Sequence, residues 1–141
     1  MTSCQSLLTP ALALIVWSLI VWVWMYARRI PAIRKAGISP VQARAHRSLE
    51  VLPLAVRQVA DNYTNLMEQP TLFYALVFYG YLAAQQNEVN VVLAWAYMAT
   101  RIVHSLIHAT VNIVMARFAV HALGTIMLMI LAARYVMALL G

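Results

Sequence analysis

Residues 89–111 read VNVVLAWAYMATRIVHSLIHATV, an apolar stretch whose second half carries a regular row of polar side chains. Arg101, His104 and His108, and Asn112 directly after the stretch, follow one another at spacings of three, four and four residues. Side chains at these spacings lie on one face of an α-helix. Ionisable groups at membrane depth are costly unless they face a protein interior or a water-filled cavity. The stretch therefore predicts a transmembrane helix whose polar face is a functional site inside a helix bundle.

The composition of the 141-residue chain is that of an integral membrane protein. Hydrophobic residues make up 64% of it and charged residues 10%, with a mean hydropathy of +0.77, whereas about a quarter of the residues in soluble domains are charged. Residues 7–27, 66–84 and 118–140 are further apolar stretches of the roughly 20-residue length that a ~30 Å hydrocarbon core requires. We predict one domain over residues 1–141, an all-α transmembrane bundle of four helices at about 7–27, 54–84, 90–113 and 117–140.

Basic residues orient the predicted bundle. Seven of them lie between residues 28 and 57, whereas the turn at residues 85–90 has none and carries Glu88. By the positive-inside rule, the connection at residues 28–53 is cytoplasmic and the N-terminus is outside. Residues 1–10 contain no lysine or arginine, which favours a retained helix over a signal peptide. The net charge of +6 then reflects topology and attraction to phospholipids rather than a nucleic-acid partner.

Three prolines predict where helices begin or bend in and after the first connection. Residues 39–42 read SPVQ, the serine, proline and glutamine of a helix start, and Pro53 predicts a second start. Pro70 frees the carbonyl of Leu66 and interrupts the helix where it enters the membrane. We therefore predict a short helix in the connection, and a bend at Pro70 that could open a pocket between helices.

The second helix carries another polar stripe, at spacings of four, four and three residues: Arg57, Asp61, Asn65 and Glu68. Arg57 and Asp61 could equally form a solvated i,i+4 ion pair. Because each stripe otherwise leaves buried polar groups without partners, the two stripes should meet. Glu68 with Arg101 is the first pairing expected, and His108 is the alternative partner of Glu68.

The other reactive groups have simpler interpretations. His104 and His108 have the spacing of metal ligands on a helix, and His121 could join them, but no carboxylate or cysteine accompanies them, so we predict no metal site. Cys4 is the only cysteine, which excludes an intrachain disulfide. Arg134 is expected to extend towards the outer headgroups.

Two motifs give the chain a resemblance to a known family. NLME at residues 65–68 is followed by Pro70 and Phe73 on the second helix, and RIVH occupies residues 101–104 on the third. With the chain length and the basic first connection, they make the sequence similar to the membrane-associated proteins in eicosanoid and glutathione metabolism, the MAPEG family. The bacterial branch is the most similar, which implies a multi-pass protein of the bacterial inner membrane.

The resemblance implies a four-helix bundle that forms a homotrimer and binds glutathione between subunits near the cytoplasmic face. Nearby cations would lower the pKa of the thiol, and the thiolate would add to lipophilic electrophiles or reduce hydroperoxides. The residues implied are Arg101, His104 and His108 for catalysis and Arg28, Arg29, Asn65, Glu68 and Arg117 for binding glutathione. His108 takes the place of a tyrosine found in some members.

The chain departs from the thiol-using members at two positions. Those members carry arginines immediately before and four residues before the asparagine, where this chain has Thr64 and Asp61. Arginines bind glutathione carboxylates in a bidentate manner, and an aspartate repels them. A non-catalytic membrane protein is therefore the alternative, one that binds lipid or relays ions through its buried glutamate, arginine and histidine groups.

Overall fold

The computed structural model describes the backbone of residues 3–141 and the side chains of residues 7–45 and 48–141, so the side chain of Cys4 lies outside the described residues. The regular elements in this part are all helical. The α-helices are α1 (Ser3–Ala36), α2 (Leu54–Glu68), α3 (Pro70–Leu82), α4 (Glu88–Ala109) and α5 (Val114–Leu140). Residues Leu7–Ala36 of α1, all of α4 and all of α5 are long and apolar enough to span a membrane. Helices α2 and α3 together form the remaining member, which confirms the predicted four-helix bundle.

Helix α1 continues to Ala36, well beyond the predicted end near residue 27. Arg28 and Arg29 consequently lie within a helix rather than in the connection. The helix stops at Gly37, which has a φ of +67°. The amide of Gly37 donates to the carbonyl of Arg34, and the amide of Ile38 donates to the carbonyl of Ile33. This paired arrangement is the Schellman motif, whose left-handed position favours glycine.

The connection between α1 and α2 begins with the predicted capping box. The amide of Gln42 donates to Ser39 Oγ at 3.2 Å, and the amide of Ser39 donates to Gln42 Oε1 at 3.0 Å. Two short 3₁₀ turns follow, at Gln42–Arg44 and His46–Leu49. Pro53 then caps α2. Both predicted starts are confirmed, although the first leads only to 3₁₀ turns.

The break between α2 and α3 lies at Gln69, directly before Pro70, as the proline predicted. The Gln69 side chain ties this break to the rest of the bundle. Its amide nitrogen donates to Thr125 Oγ1 of α5 at 2.8 Å, and its oxygen accepts from the Tyr97 hydroxyl of α4 at 3.4 Å. The interruption of the second transmembrane element is therefore held against both following helices.

The apolar core joins all helices around two aromatic rings. Phe73 of α3 and Tyr97 of α4 are almost fully buried, with ring centroids 4.5 Å apart. Leu7 and Leu14 of α1 and Leu128 of α5 belong to the same cluster. The outer surface of the bundle consists largely of exposed apolar side chains, as expected where lipid rather than water is the surrounding medium.

At the end of the bundle that holds the α3–α4 turn, Arg134 of α5 binds protein groups. Its Nε donates to Asn90 Oδ1 at 2.6 Å and its Nη2 donates to Asn87 Oδ1 at 3.2 Å. Asn87 also caps α4 by accepting from the amide of Asn90. Arg134 therefore extends towards the end of the bundle that is predicted to lie outside, where two asparagines accept its hydrogen bonds. Its contact with lipid headgroups stays a prediction.

Candidate functional site

The polar stripe of α4 faces the interior of the bundle. Arg101, His104 and His108 are 3%, 6% and 4% exposed, so their burial is that of core residues. Asn112 does not belong to the stripe, because α4 ends at Ala109. Asn112 has a φ of +50°, and its amide donates to the carbonyl of Ile107. Asparagine adopts the left-handed conformation more readily than most residues, which explains its place in this turn.

Arg101 is bound by a histidine of the following helix. Its Nη1 lies 3.0 Å from His121 Nδ1, and its guanidinium carbon lies 5.7 Å from the centre of the Tyr97 ring. Guanidinium nitrogens only donate, so His121 Nδ1 accepts and the hydrogen of this neutral imidazole is on Nε2. The Tyr97 ring adds a cation–π contact. Arg101 is thus held by α5 and by its own helix.

The three histidines form a row. The ring centroid of His104 lies 5.9 Å from that of His108 and 5.7 Å from that of His121. At one end of the row, Asn65 Nδ2 lies 3.4 Å from His108 Nδ1 and also donates to the carbonyl of Asp61. A carbonyl oxygen only accepts hydrogen bonds, so the Asn65 atom that faces the Asp61 carbonyl must be the amide nitrogen. Because the same nitrogen faces His108 Nδ1, this ring nitrogen accepts as well. The two predicted stripes therefore meet at Asn65 and His108.

A pocket of about 240 Å³ opens beside this row, and we call it the histidine pocket. It is lined by Asn65, His104, Val114, Arg117, Phe118 and His121. Arg117 donates from Nη1 to Asn112 Oδ1 at 2.6 Å, whereas its Nε is buried without a partner. The pocket thus combines three basic side chains, an amide and two apolar groups, with Arg101 directly behind His121.

Glu68 makes no ion pair with Arg101 or with any other described side chain. It is exposed on α2, although its carboxylate is close enough for a Coulomb interaction with Arg101 and His121. The first expected pairing is therefore not formed, and His108 bonds to Asn65 instead of Glu68. Arg101 reaches His121 because that ring is nearer on the interior face of the bundle.

The predicted binding residues are not all brought together. Asn65 and Arg117 line the histidine pocket, whereas Glu68 does not. Arg28 is exposed on α1, and Arg29 lines a different opening together with Arg57 and Asp61. Asp61 therefore lies outside the histidine pocket. Its carboxylate would oppose an anion directly only if it lined that pocket.

A buried polar network that the sequence analysis did not identify lies beside the site. Ser105 Oγ accepts from Trp17 Nε1 at 3.0 Å and from Asn62 Nδ2 at 2.7 Å. Asn62 and Ser105 are completely buried, and Asn62 Oδ1 has no partner. Ser105 follows Arg101 by four residues and Asn62 precedes Asn65 by three, so helical spacing could have revealed both. The network joins α1, α2 and α4 at the level of the histidines.

The histidines are not arranged as a metal site. Among the described residues, no group of three or more histidine, cysteine, aspartate or glutamate side chains could hold a metal ion. His121 approaches the pair on α4, as the sequence suggested, but it binds Arg101 through Nδ1. The site is therefore a cluster of hydrogen-bonding and cationic groups.

Comparison with known proteins gives one match that covers nearly the whole bundle. Neither the curated proteins nor the solved structures contain a significant match. The family model described as MAPEG family matches residues 7–137, which include all four membrane elements and the histidine pocket. The chain therefore belongs to the MAPEG family of membrane proteins.

Proposed function

We propose that this protein is a membrane-bound transferase or peroxidase that uses reduced glutathione against lipophilic electrophiles or hydroperoxides dissolved in the bilayer. The observation that carries the proposal is the lining of the histidine pocket, which has three basic side chains and no carboxylate. An anion that enters such a cavity gains charge interactions that are weakly screened. Glutathione offers three negatively charged groups of this kind, two carboxylates and a thiolate.

The residues of the pocket fit an anionic thiol. Arg117 Nε is buried and lacks an acceptor, so an anion would satisfy a donor that the protein leaves unpaired. Arg101 adds fixed positive charge behind His121, because a guanidinium stays protonated in proteins. With Nδ1 of His121 engaged by Arg101, Nε2–H is the donor that this ring can offer to a ligand.

Each pocket residue has a distinct proposed role. Glutathione held there would supply a thiolate that adds to an electrophilic carbon, or that takes one oxygen from a hydroperoxide by breaking its O–O bond and releasing the alcohol. His104 lines the pocket and bonds to neither arginine, so we assign it as a hydrogen-bond partner of the thiol. Arg117 and Arg101 would stabilise the negative charge on sulfur. Asn65 would accept from the ligand through Oδ1, because its Nδ2 is engaged by Asp61 and His108.

The oligomer and its orientation belong to the same proposal. We propose a homotrimer in the bacterial inner membrane, with residues 28–53 cytoplasmic and the N-terminus outside, so that glutathione enters from the cytoplasm. Basic residues in the first connection support this orientation. Val114 and Phe118 are exposed at the rim of the pocket, and a neighbouring copy would cover them.

The test is calorimetric titration of the detergent-purified protein with reduced glutathione. We expect saturable binding that weakens about tenfold or more in Arg117→Gln and His104→Gln, since each removes a charge-assisted or polar contact. The matched control is Arg34→Gln, because Arg34 is exposed in the last turn of α1 and does not line the histidine pocket. Absence of saturable heat at millimolar thiol, or equal loss in the control, would refute the proposal.

The row of imidazoles favours a second candidate function, a proton relay through His108, His104 and His121. Their centroid separations of 5.9 and 5.7 Å are short enough for one water molecule between neighbours. The relay predicts proton flux into vesicles with a pH-sensitive dye inside, lost in His104→Phe and independent of thiol. Vesicles that carry the protein and show no flux above empty ones would exclude it.

A further inference from the structure

A second opening, which we call the charged cleft, lies between α1, the first connection and α2. It has a volume of about 310 Å³. Its charged lining is Arg29 of α1, Glu50 of the connection, and Arg57 and Asp61 of α2. We propose that the charged cleft binds the headgroup of phosphatidylethanolamine, with the phosphate on the two arginines and the ammonium on the two carboxylates. This site is independent of the thiol pocket proposed above.

The first argument is that opposite charges surround the cleft without neutralising one another. Within the described part of the chain, no arginine of the cleft lies within 4.0 Å of a carboxylate. Arg57 and Asp61 do not form the i,i+4 ion pair that their spacing allows. Arg57 Nε is buried and has no acceptor. A ligand that carries both charges would satisfy all four groups, whereas a simple anion or cation would leave two of them unpaired.

The second argument is the depth of the cleft. Arg29 follows the apolar run of α1, and Trp22 and Tyr26, on the preceding turns, are exposed with ring centroids 4.7 Å apart. Exposed tryptophan and tyrosine on a membrane helix mark the level of the headgroups. The cleft therefore lies where the headgroup of a bilayer lipid is already concentrated.

The third argument is the apolar part of the lining. Leu52 and Val56 are buried beside the charged groups, and Leu49 and Ala60 complete the wall. These side chains can contact the glycerol and upper acyl carbons of a lipid, contacts that a soluble zwitterion lacks. The volume is also at the lower end of the roughly 300–1,000 Å³ found for small-molecule sites, which suits a headgroup rather than a whole lipid.

The chemistry of the cleft distinguishes among common headgroups. The ammonium of ethanolamine has three N–H donors for Glu50 and Asp61, whereas the methylated ammonium of choline has none. Phosphatidylglycerol has no cation, so the two carboxylates would repel it. We therefore expect phosphatidylethanolamine to be retained in preference to both.

The experiment uses the full-length protein in nanodiscs that contain equal amounts of phosphatidylethanolamine, phosphatidylcholine and phosphatidylglycerol with the same acyl chains. The protein is released from the nanodiscs, and the lipids that stay bound to it are identified and counted by native mass spectrometry. We expect phosphatidylethanolamine to exceed phosphatidylcholine about tenfold, as one charge-assisted bidentate contact allows. Asp61→Asn should lose this preference, because it weakens the contact with the ammonium. Arg57→Gln should lower the amount of phosphatidylethanolamine retained, because it removes a donor to the phosphate that the three lipids share. The controls are Arg34→Gln and Glu88→Gln, which change exposed charges outside the cleft.

Further experiments distinguish a lipid headgroup site from two alternatives, a variant that fails to fold and a site for a soluble ligand. Should Arg57→Gln fail to fold, Glu50→Gln tests the same cleft, because Glu50 lies exposed in the connection. Glu50→Gln should reduce lipid preference and leave glutathione binding unchanged, which keeps this proposal distinct from the proposed function. Equal retention of the three lipids, preference for phosphatidylglycerol, or loss of preference in the controls would overturn the proposal. Binding of soluble phosphoethanolamine without retention of the lipid would overturn the lipid as the source.

Discussion

Arg101 shows how a single guanidinium is accommodated inside an apolar bundle without an ion pair. Its contacts are the lone pair of His121 Nδ1 at 3.0 Å and the face of the Tyr97 ring. Neither contact neutralises its charge, and Glu68 remains beyond ion-pair distance. A buried cation with polar but uncharged partners contributes positive charge to the neighbouring cavity, which is the property that the proposed thiolate site needs.

Replacement of His121 tests the role of this contact at the level of one hydrogen bond. His121→Phe removes the acceptor and leaves the buried Arg101 donor unpaired, so we expect a loss of about 1–3 kcal/mol in the free energy of unfolding. His121→Gln keeps an acceptor and should lose much less. The measurement is unfolding in mixed dodecyl sulfate and dodecyl maltoside micelles. Equal stability of the two variants would show that the contact does not hold Arg101.

Sequence spacing predicted the α4 face because Arg101, His104 and His108 share one helix, where periodicity alone decides which side chains are neighbours. It did not predict the partner of Arg101. His121 is on another helix, and the rotation of α5 about its axis depends on packing that no local pattern encodes. The rotation of α2 also depends on packing, and it leaves the expected partner, Glu68, on the outer surface of that helix.

At the scale of elements, helix positions were predictable and helix ends were less so. Apolar length located every membrane element, and Pro70 located the break between α2 and α3. The end of α1 was missed because hydropathy falls at Arg28, whereas the helix stops only at the left-handed Gly37. The end of α4 was missed because Asn112 has helical spacing but a positive φ. Backbone conformation, rather than hydropathy, ends these helices.

Packing between α4 and α5 depends on Gly124, which leaves no room for a larger residue. A Cβ at this position would lie 2.7 Å from Thr100 Oγ1. We expect Gly124→Ala to destabilise the bundle by about 1–3 kcal/mol through overpacking. Thr100→Ala should restore the space, so the double variant should be more stable than Gly124→Ala alone. Additive losses in the same micelle unfolding assay would show that the two residues are not in contact.

At the scale of the whole molecule, the two openings differ in the charges of the side chains that line them. The histidine pocket combines basic side chains with no carboxylate, and the charged cleft combines both signs. Asp61, which departs from the thiol-using pattern, lines the cleft rather than the pocket. The carboxylate of Asp61 is therefore absent from the lining of the pocket that we propose for glutathione.

The orientation of the bundle decides which compartment would supply the two proposed ligands, and cysteine labelling tests this orientation directly. In a Cys4→Ser background, Val51→Cys places a thiol in the first connection and Glu88→Cys places one at the start of α4, both at exposed positions. We expect a membrane-impermeant maleimide to label Glu88→Cys in intact bacterial cells and Val51→Cys only after permeabilisation, because seven basic residues lie between residues 28 and 57. Labelling in the reverse order would place the first connection and the charged cleft outside, and glutathione could then not reach the bundle from the cytoplasm through that end.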